Sequence, residues 1–209
     1  MTVRALVALL FYALSAPVMP AAEPHAVLFI YHRFGEDEHP STSIRLDQLD
    51  AQLDYLDGGG YHVLPLHDIV KAISEGGTLP DRTVAITIDD AYRSIYDQAF
   101  PRLRERGWPF TVFVCTEPVD SGLSGYLTWD QMREMAEHGA TFANHSASHD
   151  ALIDRRDGET ENDWAARVHQ DVARAQQRLE DELGSAPMLF AYPYGEYDEP
   201  LAELIAEMG

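Results

Sequence analysis

The sequence predicts an α/β fold in which parallel strands are wrapped by helices and arranged as a (β/α) barrel. Six short apolar runs, rich in β-branched residues, are each followed by a helical pattern, the order that parallel sheets require. Polar residues with chemical potential follow these runs repeatedly, at His32, Asp89, Asp90, His145 and Tyr194. Such residues collected at many strand ends suit a barrel mouth better than an open sheet, where ligands gather at one switch point. The 209 residues, 45% of them hydrophobic, suit one domain with a sizeable core.

The N-terminus stands apart from that domain. Met1 to Arg4 carries one positive charge, Ala5 to Ala16 is apolar but short for a bilayer, and Pro17 to Ala22 supplies helix-breaking and small residues. Residues 1–22 therefore read as a secretory signal peptide, leaving 23–209 as the single domain. An uncleaved N-terminal anchor and a buried first strand are the alternatives.

Ala26 to His32 reads as a buried strand ending in a histidine, followed by a loop from Arg33 to Ser43. Leu46, Leu49, Leu53 and Leu56 then recur at helical spacing until Gly58-Gly59-Gly60. Tyr61 to Leu64 forms a second strand and Pro65 to Glu75 a second helix, stopped by Gly76-Gly77. Thr83 to Ile88 is the third strand, with a helix from Ser94 to Arg106, and Phe110 to Val114 is the fourth. Thr128 and Gln131 have capping-box spacing ahead of a helix that ends at His138-Gly139. Thr141 to Ala143 is a short fifth strand, and a long helix follows from Asn162 to Leu183. Met188 to Tyr192 is the sixth strand and Pro200 to Met208 the last helix. Six units are few for closure, and a strand would be expected after that helix, so the barrel is expected to be C-terminally incomplete.

Charge narrows the partners. With 35 acids against 15 bases, the net charge of -20 argues against nucleic acid and anionic membrane surfaces. It suits a neutral or cationic ligand, such as a sugar polymer carrying free amines, and it equally suits a chain adapted to high salt. The single cysteine, Cys115, closes the run Phe110 to Val114. It cannot form an internal disulfide or a Cys-rich metal site, so it reads as a buried strand thiol without catalytic role.

Two stretches carry the chemistry. Val84 to Ile88 runs into Asp89-Asp90, two acids at the C-terminal end of a strand. Neighbouring strand residues point to opposite sides, so one acid can bind a metal while the other stays free as a base. A lone Asp there would read as a helix cap. The second stretch, His145-Ser146-Ala147-Ser148-His149, spaces two imidazoles four residues apart, which on a helical turn would share a face and converge on one ion. Alone, one such pair among nine histidines is a weak signal. Combined with the acids it describes a two-His, one-carboxylate site with positions open for water and substrate, and a second carboxylate to deprotonate that water.

Thr87-Ile88-Asp89-Asp90-Ala91 resembles the T-F-D-D-G motif of the polysaccharide deacetylases, carbohydrate esterase family 4, and His145 to His149 resembles their H-[ST]-x-x-H motif. The resemblance covers about Ala26 to Gly209 and implies a distorted (β/α) barrel. It implies Asp89 as general base, with Asp90, His145 and His149 holding one divalent ion, usually zinc. Ser146 would steady the loop, and Tyr194, in Ala191-Tyr192-Pro193-Tyr194, would offer its backbone N–H to an oxyanion. The family's arginine at that third motif is replaced here by Ala191, as is common among exported deacetylases of biofilm poly-N-acetylglucosamine. Those enzymes carry their acid histidine at the start of the domain, which implies His32 as general acid; its plain reading is a strand-end histidine capping a loop. The family's Asp-Trp pair has no counterpart, Asp163-Trp164 reading as a helix-surface pair. Tyr92, Trp108, Trp129 and Tyr197 are candidates to line a sugar groove, Trp108 reading first as packing. The resemblance implies an exported metal-dependent hydrolase that removes N-acetyl groups from an amino-sugar polysaccharide, biofilm glucosamine polymer, chitin and peptidoglycan all being open. A non-catalytic carbohydrate-binding barrel and a small-molecule amidase or esterase are the rival readings.

Overall fold

The computed structural model describes residues 24–209, so the expected signal peptide, residues 1–22, lies outside the described residues. Its centre is a parallel sheet built from β1 (Val27–Tyr31), β4 (His62–Val63), β5 (Thr83–Asp89), β6 (Phe110–Val114) and β7 (Ala140–Asn144). The order is β1-β5-β6-β7, and β4 adds a two-residue pairing at the foot of β5. Phe29 lies opposite Ile86, Ile88 opposite Val112, and Val112 opposite Phe142. These registers bring the carboxyl ends of β5, β6 and β7 level with one another. The site is built on that rim.

Strand alternation divides the core. Ile86, Ile88, Val112, Val114 and Phe142 face one layer with Leu49, Leu53, Phe100 and Leu103, which come from α1 (Leu46–Gly58) and α3 (Phe100–Arg106). Ala85, Phe113 and Ala143 face the other way, against Leu66 and Ile69 of α2 (Leu66–Ser74). A third cluster seats Trp164, Val168 and Val172 of α6 (Glu161–Leu183) against Leu152 and Leu201; Leu201 belongs to α7 (Glu199–Glu207). α5 (Trp129–Ala136) starts at the expected capping box, with Thr128 and Gln131 each bonding the other's backbone N–H.

Several expectations need correction. β1 is an edge strand rather than a buried one: Leu28 and Ile30 are 46% and 64% exposed, because β1 pairs with β5 alone among the described residues. The loop after His32 contains a two-residue parallel pair, β2 (Arg33–Phe34) with β3 (Ser43–Ile44). The helix expected from Ser94 begins instead with a π-helical turn, Ile95–Ala99, because Pro101 lacks an N–H and its ring crowds the preceding turn. A short helix, α4 (Thr116–Asp120), lies where no element was expected. Met188 to Tyr192 meets the sheet through one parallel bridge, Asn144 to Phe190. Pro187 and Pro193 bracket it and shorten the ladder it can form. Among the described residues, then, the strands form the expected parallel sheet in an α/β fold, in the order β1-β5-β6-β7. Trp164 is 2% exposed and donates its indole N–H to the Leu152 carbonyl at 2.7 Å, so it is a core residue and not part of a surface pair.

Candidate metal centre

Asp89 ends β5 in extended backbone, and the chain then turns sharply through Asp90 and Ala91, both left-handed, with φ of 74° and 63°. That reversal swings the Asp90 carboxylate away from the strand direction and over the ends of β6 and β7. Among the described residues, six non-glycine residues have positive φ: Arg82, Asp90, Ala91, Ser146, His149 and Tyr194. All but Arg82 lie at this rim. Each such residue costs about 1–3 kcal/mol and persists only where its surroundings over-determine it, which marks the rim as functional.

His145 follows β7, and its Nδ1 lies 2.9 Å from the Ala191 carbonyl oxygen. A carbonyl only accepts, so Nδ1 carries a proton, and Nε2 is the nitrogen turned toward Asp90. Ala191 thus serves through its backbone. His145 Nε2 lies 3.3 Å and His149 Nε2 3.0 Å from Asp90 Oδ1. The segment from His145 to His149 is an irregular loop with positive φ at Ser146 and His149, which corrects the expected helical turn. The two imidazoles converge through those left-handed residues. Ser146 steadies the loop as expected, its Oγ accepting the His149 N–H at 2.9 Å.

The donor set fits a divalent ion. Nitrogen and oxygen ligands each about 2.0–2.2 Å from a tetrahedral centre lie about 3.3 Å apart, and the Asp90 and histidine atoms stand at that spacing. Cys115 Sγ belongs to the same group, all four ligand atoms lying within 4.8 Å of one another. The thiol is buried as expected, but its place was missed: it lies 3.6 Å from the His145 carbonyl oxygen and 4.0 Å from Asp90 Oδ1. Burial, followed by the charges of Asp90 and Asp89, pushes its pKa far up.

The two acids are set apart electrostatically. Burial alone would raise the Asp90 carboxyl, but hydrogen bonds and charge from His145 and His149 hold it well below the ordinary range. Asp89 is shifted the other way, because burial outweighs the charges of His145 and His32, and the Asp90 charge adds to the rise. Burial disfavours charge on His145, yet its bond to Asp90 and the charge of Asp89 raise its pKa. Two adjacent acids pushed in opposite directions are suited to different tasks.

The remaining expected residues also meet here. His32 follows β1 and brings Nε2 to 3.8 Å from Asp89 Oδ2. Tyr194 sits in a tight turn, Pro193–Gly195, with its ring edge-on to His149 at 4.6 Å between centroids. A cavity of about 300 Å³ opens beside Asp90 and His149, with Tyr92, Tyr126 and Tyr194 in its wall. Tyr92 is thus confirmed beside the site, and Tyr126, which pairs with it across a bridge, was missed. Trp108 packs against the core, Trp129 donates to Asp120 at 2.9 Å, and Tyr197 lies against Tyr192.

The sequence profile of the family described as polysaccharide deacetylase matches residues 76–209, more than half of the chain and all of the centre except His32. The chain belongs to that family. The poly-beta-1,6-N-acetyl-D-glucosamine N-deacetylase of Escherichia coli (strain K12) is 25% identical over 200 residues, 80% of this chain and 30% of its own length. The enzyme of the same name from Staphylococcus epidermidis is 28% identical over 171 residues, 80% of this chain and 59% of its own. The chain therefore spans less than two thirds of these relatives. The solved structure of IcaB from Ammonifex degensii superposes with a TM-score of 0.76 at 26% identity, covering 88% of this chain and 80% of that one. The likeness of fold covers more of the chain than the profile match does.

Proposed function

We propose that this chain is a metal-dependent hydrolase that removes N-acetyl groups from N-acetylglucosamine units of a polysaccharide. The observation that carries it is the convergence of Asp90, His145 and His149 at ion-coordinating spacing, with the Asp89–His32 pair beside them. Asp90, His145 and His149 would hold one divalent ion, with zinc as the usual choice for two imidazoles and a carboxylate. Such an ion supplies positive charge that acidifies water and polarises an acetamide carbonyl.

The chain's own residues carry the protons. Asp89, its carboxyl shifted upward by burial, accepts the proton of the attacking water. His32, with Nε2 3.8 Å from Asp89 Oδ2, delivers a proton to the departing amine. The Tyr194 backbone N–H donates to the developing oxyanion, and its turn faces the cavity beside His149. The products are acetate and a free glucosamine unit. Exposed Tyr194 offers a face on which a pyranose ring can stack, with Tyr92 and Tyr126 in the same cavity wall.

The polymer we propose is β-1,6-linked poly-N-acetylglucosamine. The names of the two relatives support this, as does the placement of His32 ahead of the acid pair in the sequence. Residues 1–22 support export as a signal peptide, and the parallel sheet is taken as part of a distorted (β/α) barrel. Acetate release tests the reading, measured on β-1,6-linked N-acetylglucosamine oligomers, chitooligosaccharides and peptidoglycan fragments, with and without a chelator. Chelator-sensitive release, fastest from the β-1,6 oligomers, is expected. No release from any amino-sugar substrate by zinc-loaded protein would sink the enzyme reading, and a preference for another polymer would correct the substrate.

A further inference from the structure

The two histidine ligands are positioned by different means. His145 leaves β7 directly, and its ring is fixed by the Ala191 carbonyl. His149 lies at the far end of an irregular loop, so its place depends on how the backbone of 146–148 is held. That loop spends strain at Ser146 and His149, with φ of 66° and 62°.

A closed ring of contacts holds it. The N–H groups of Ala147 and Ser148 both donate to the Asp171 carboxylate, at 3.0 and 3.2 Å. The Ala147 carbonyl accepts the Glu117 N–H at 3.0 Å. Arg174, one turn after Asp171 on α6, lies 3.1 Å from Asp171 and also grips the Glu117 carboxylate. The Ala147 peptide is thereby bound on both sides, by α6 through Asp171 and by the start of α4 through Glu117. Successive N–H groups beside a left-handed residue form a concavity that draws an anion. Here the anion is internal, a carboxylate only 12% exposed.

We infer that Asp171 is a positioning residue of the metal centre: its carboxylate fixes the Ala147–Ser148 peptide and so sets where His149 meets Asp90. This rests on the proposed reading of Asp90, His145 and His149 as metal ligands. Asp171 acts through backbone, and none of its bonds reaches a ligand atom. A mere brace between helix and loop would contribute the same stability with or without the ion. A positioning residue changes affinity for the ion itself.

Zinc affinity, measured by competition with a chromogenic chelator, separates the two. Asp171→Asn keeps the size and one acceptor oxygen but turns an N–H₂ toward the second N–H group. It should weaken zinc binding about 10- to 100-fold, the usual range for losing an outer-shell partner, and Asp171→Ala should weaken it at least as much. Arg174→Ala, which leaves both N–H bonds to Asp171 in place, should cost less. Excess zinc should restore most turnover to Asp171→Asn and none to Asp89→Asn. Should Asp171→Ala fail to fold, the Asn variant decides. A folded Asp171→Asn protein that binds zinc within twofold of wild type would overturn the inference, as would a turnover defect that excess zinc does not relieve. His145→Ala is the control for the underlying reading: if wild type binds no zinc, or His145→Ala binds it equally well, the ligand assignment fails and this inference falls with it.

Discussion

The ends of β5, β6 and β7 and the end of β1 meet at one site but are built to different standards. On the first side, Asp90 and His145 are nearly buried, their side chains 10% and 3% exposed, and the loop between the histidines is tied to two helices. On the second, His32 follows an edge strand, and its side chain is 34% exposed. The two sides are joined by the β1–β5 ladder, from Val27 opposite Val84 to Tyr31 opposite Ile88, but past the strand end His32 itself meets Asp89 only by a 3.8 Å approach. The difference follows from the tasks proposed. Three atoms that must sit on one coordination sphere tolerate little error, so their backbone is braced and strained. A proton donor needs reach and access to the leaving group, which an exposed strand end provides.

Breaking the braced side should have the largest effect. His145→Ala is expected to lose both its metal, read by elemental analysis after dialysis, and nearly all acetate release; full metal occupancy in this variant would refute its role as a ligand. Next come the proton-carrying residues. His32→Ala and Asp89→Asn should each keep a full complement of metal and lose turnover by about 10²- to 10⁴-fold. The His32→Ala loss should shrink for substrates with better leaving groups, which need less protonation. Near-normal turnover of an acetylated sugar polymer by His32→Ala would return that residue to capping a loop and collapse the contrast.

The pH profile sharpens the same comparison. Asp89 works as a base only when ionised, and burial raises its pKa above the ordinary value near 4. Activity should therefore rise with pH as Asp89 ionises. A rising limb in kcat/KM that Asp89→Asn leaves unchanged would exclude Asp89 as the base. Smaller effects are expected in stability. Ile86→Ala, at a strand position 2% exposed, should cost about 2–5 kcal/mol in chemical denaturation. Ile30→Ala on β1, 64% exposed, should cost under about 0.5 kcal/mol. Equal losses would show that β1 is covered in solution and is no exposed arm.

The sequence by itself determined what depends on short spacing. The run into Asp89-Asp90, the histidine pair and the Thr128–Gln131 capping box are local patterns, and each produced its element or cluster. Helix ends at Gly107 and Gly184 were equally legible, because glycine accepts the left-handed φ of 63° and 81° found there. Motif spacing also brought His32, Asp90, His145, His149 and Tyr194 to one rim, since parallel strands align their carboxyl ends.

What tertiary structure decided is what depends on neighbours distant in sequence. All five residues of β1 are apolar against four of seven in β5, yet sheet order makes β1 an exposed edge and β5 the buried centre. Cys115 reached the ligands because β6 lies between β5 and β7, an order no local pattern encodes. Trp164 looked like a surface residue until α6 laid that face on Leu152 and Leu201. Asp171 had no sequence signal at all: one acid among 35 in this chain, it gained meaning only when α6 brought it under the N–H groups of Ala147 and Ser148. Local propensity selects a residue's backbone, whereas burial and hydrogen-bond partners come from chain segments whose approach is set by packing.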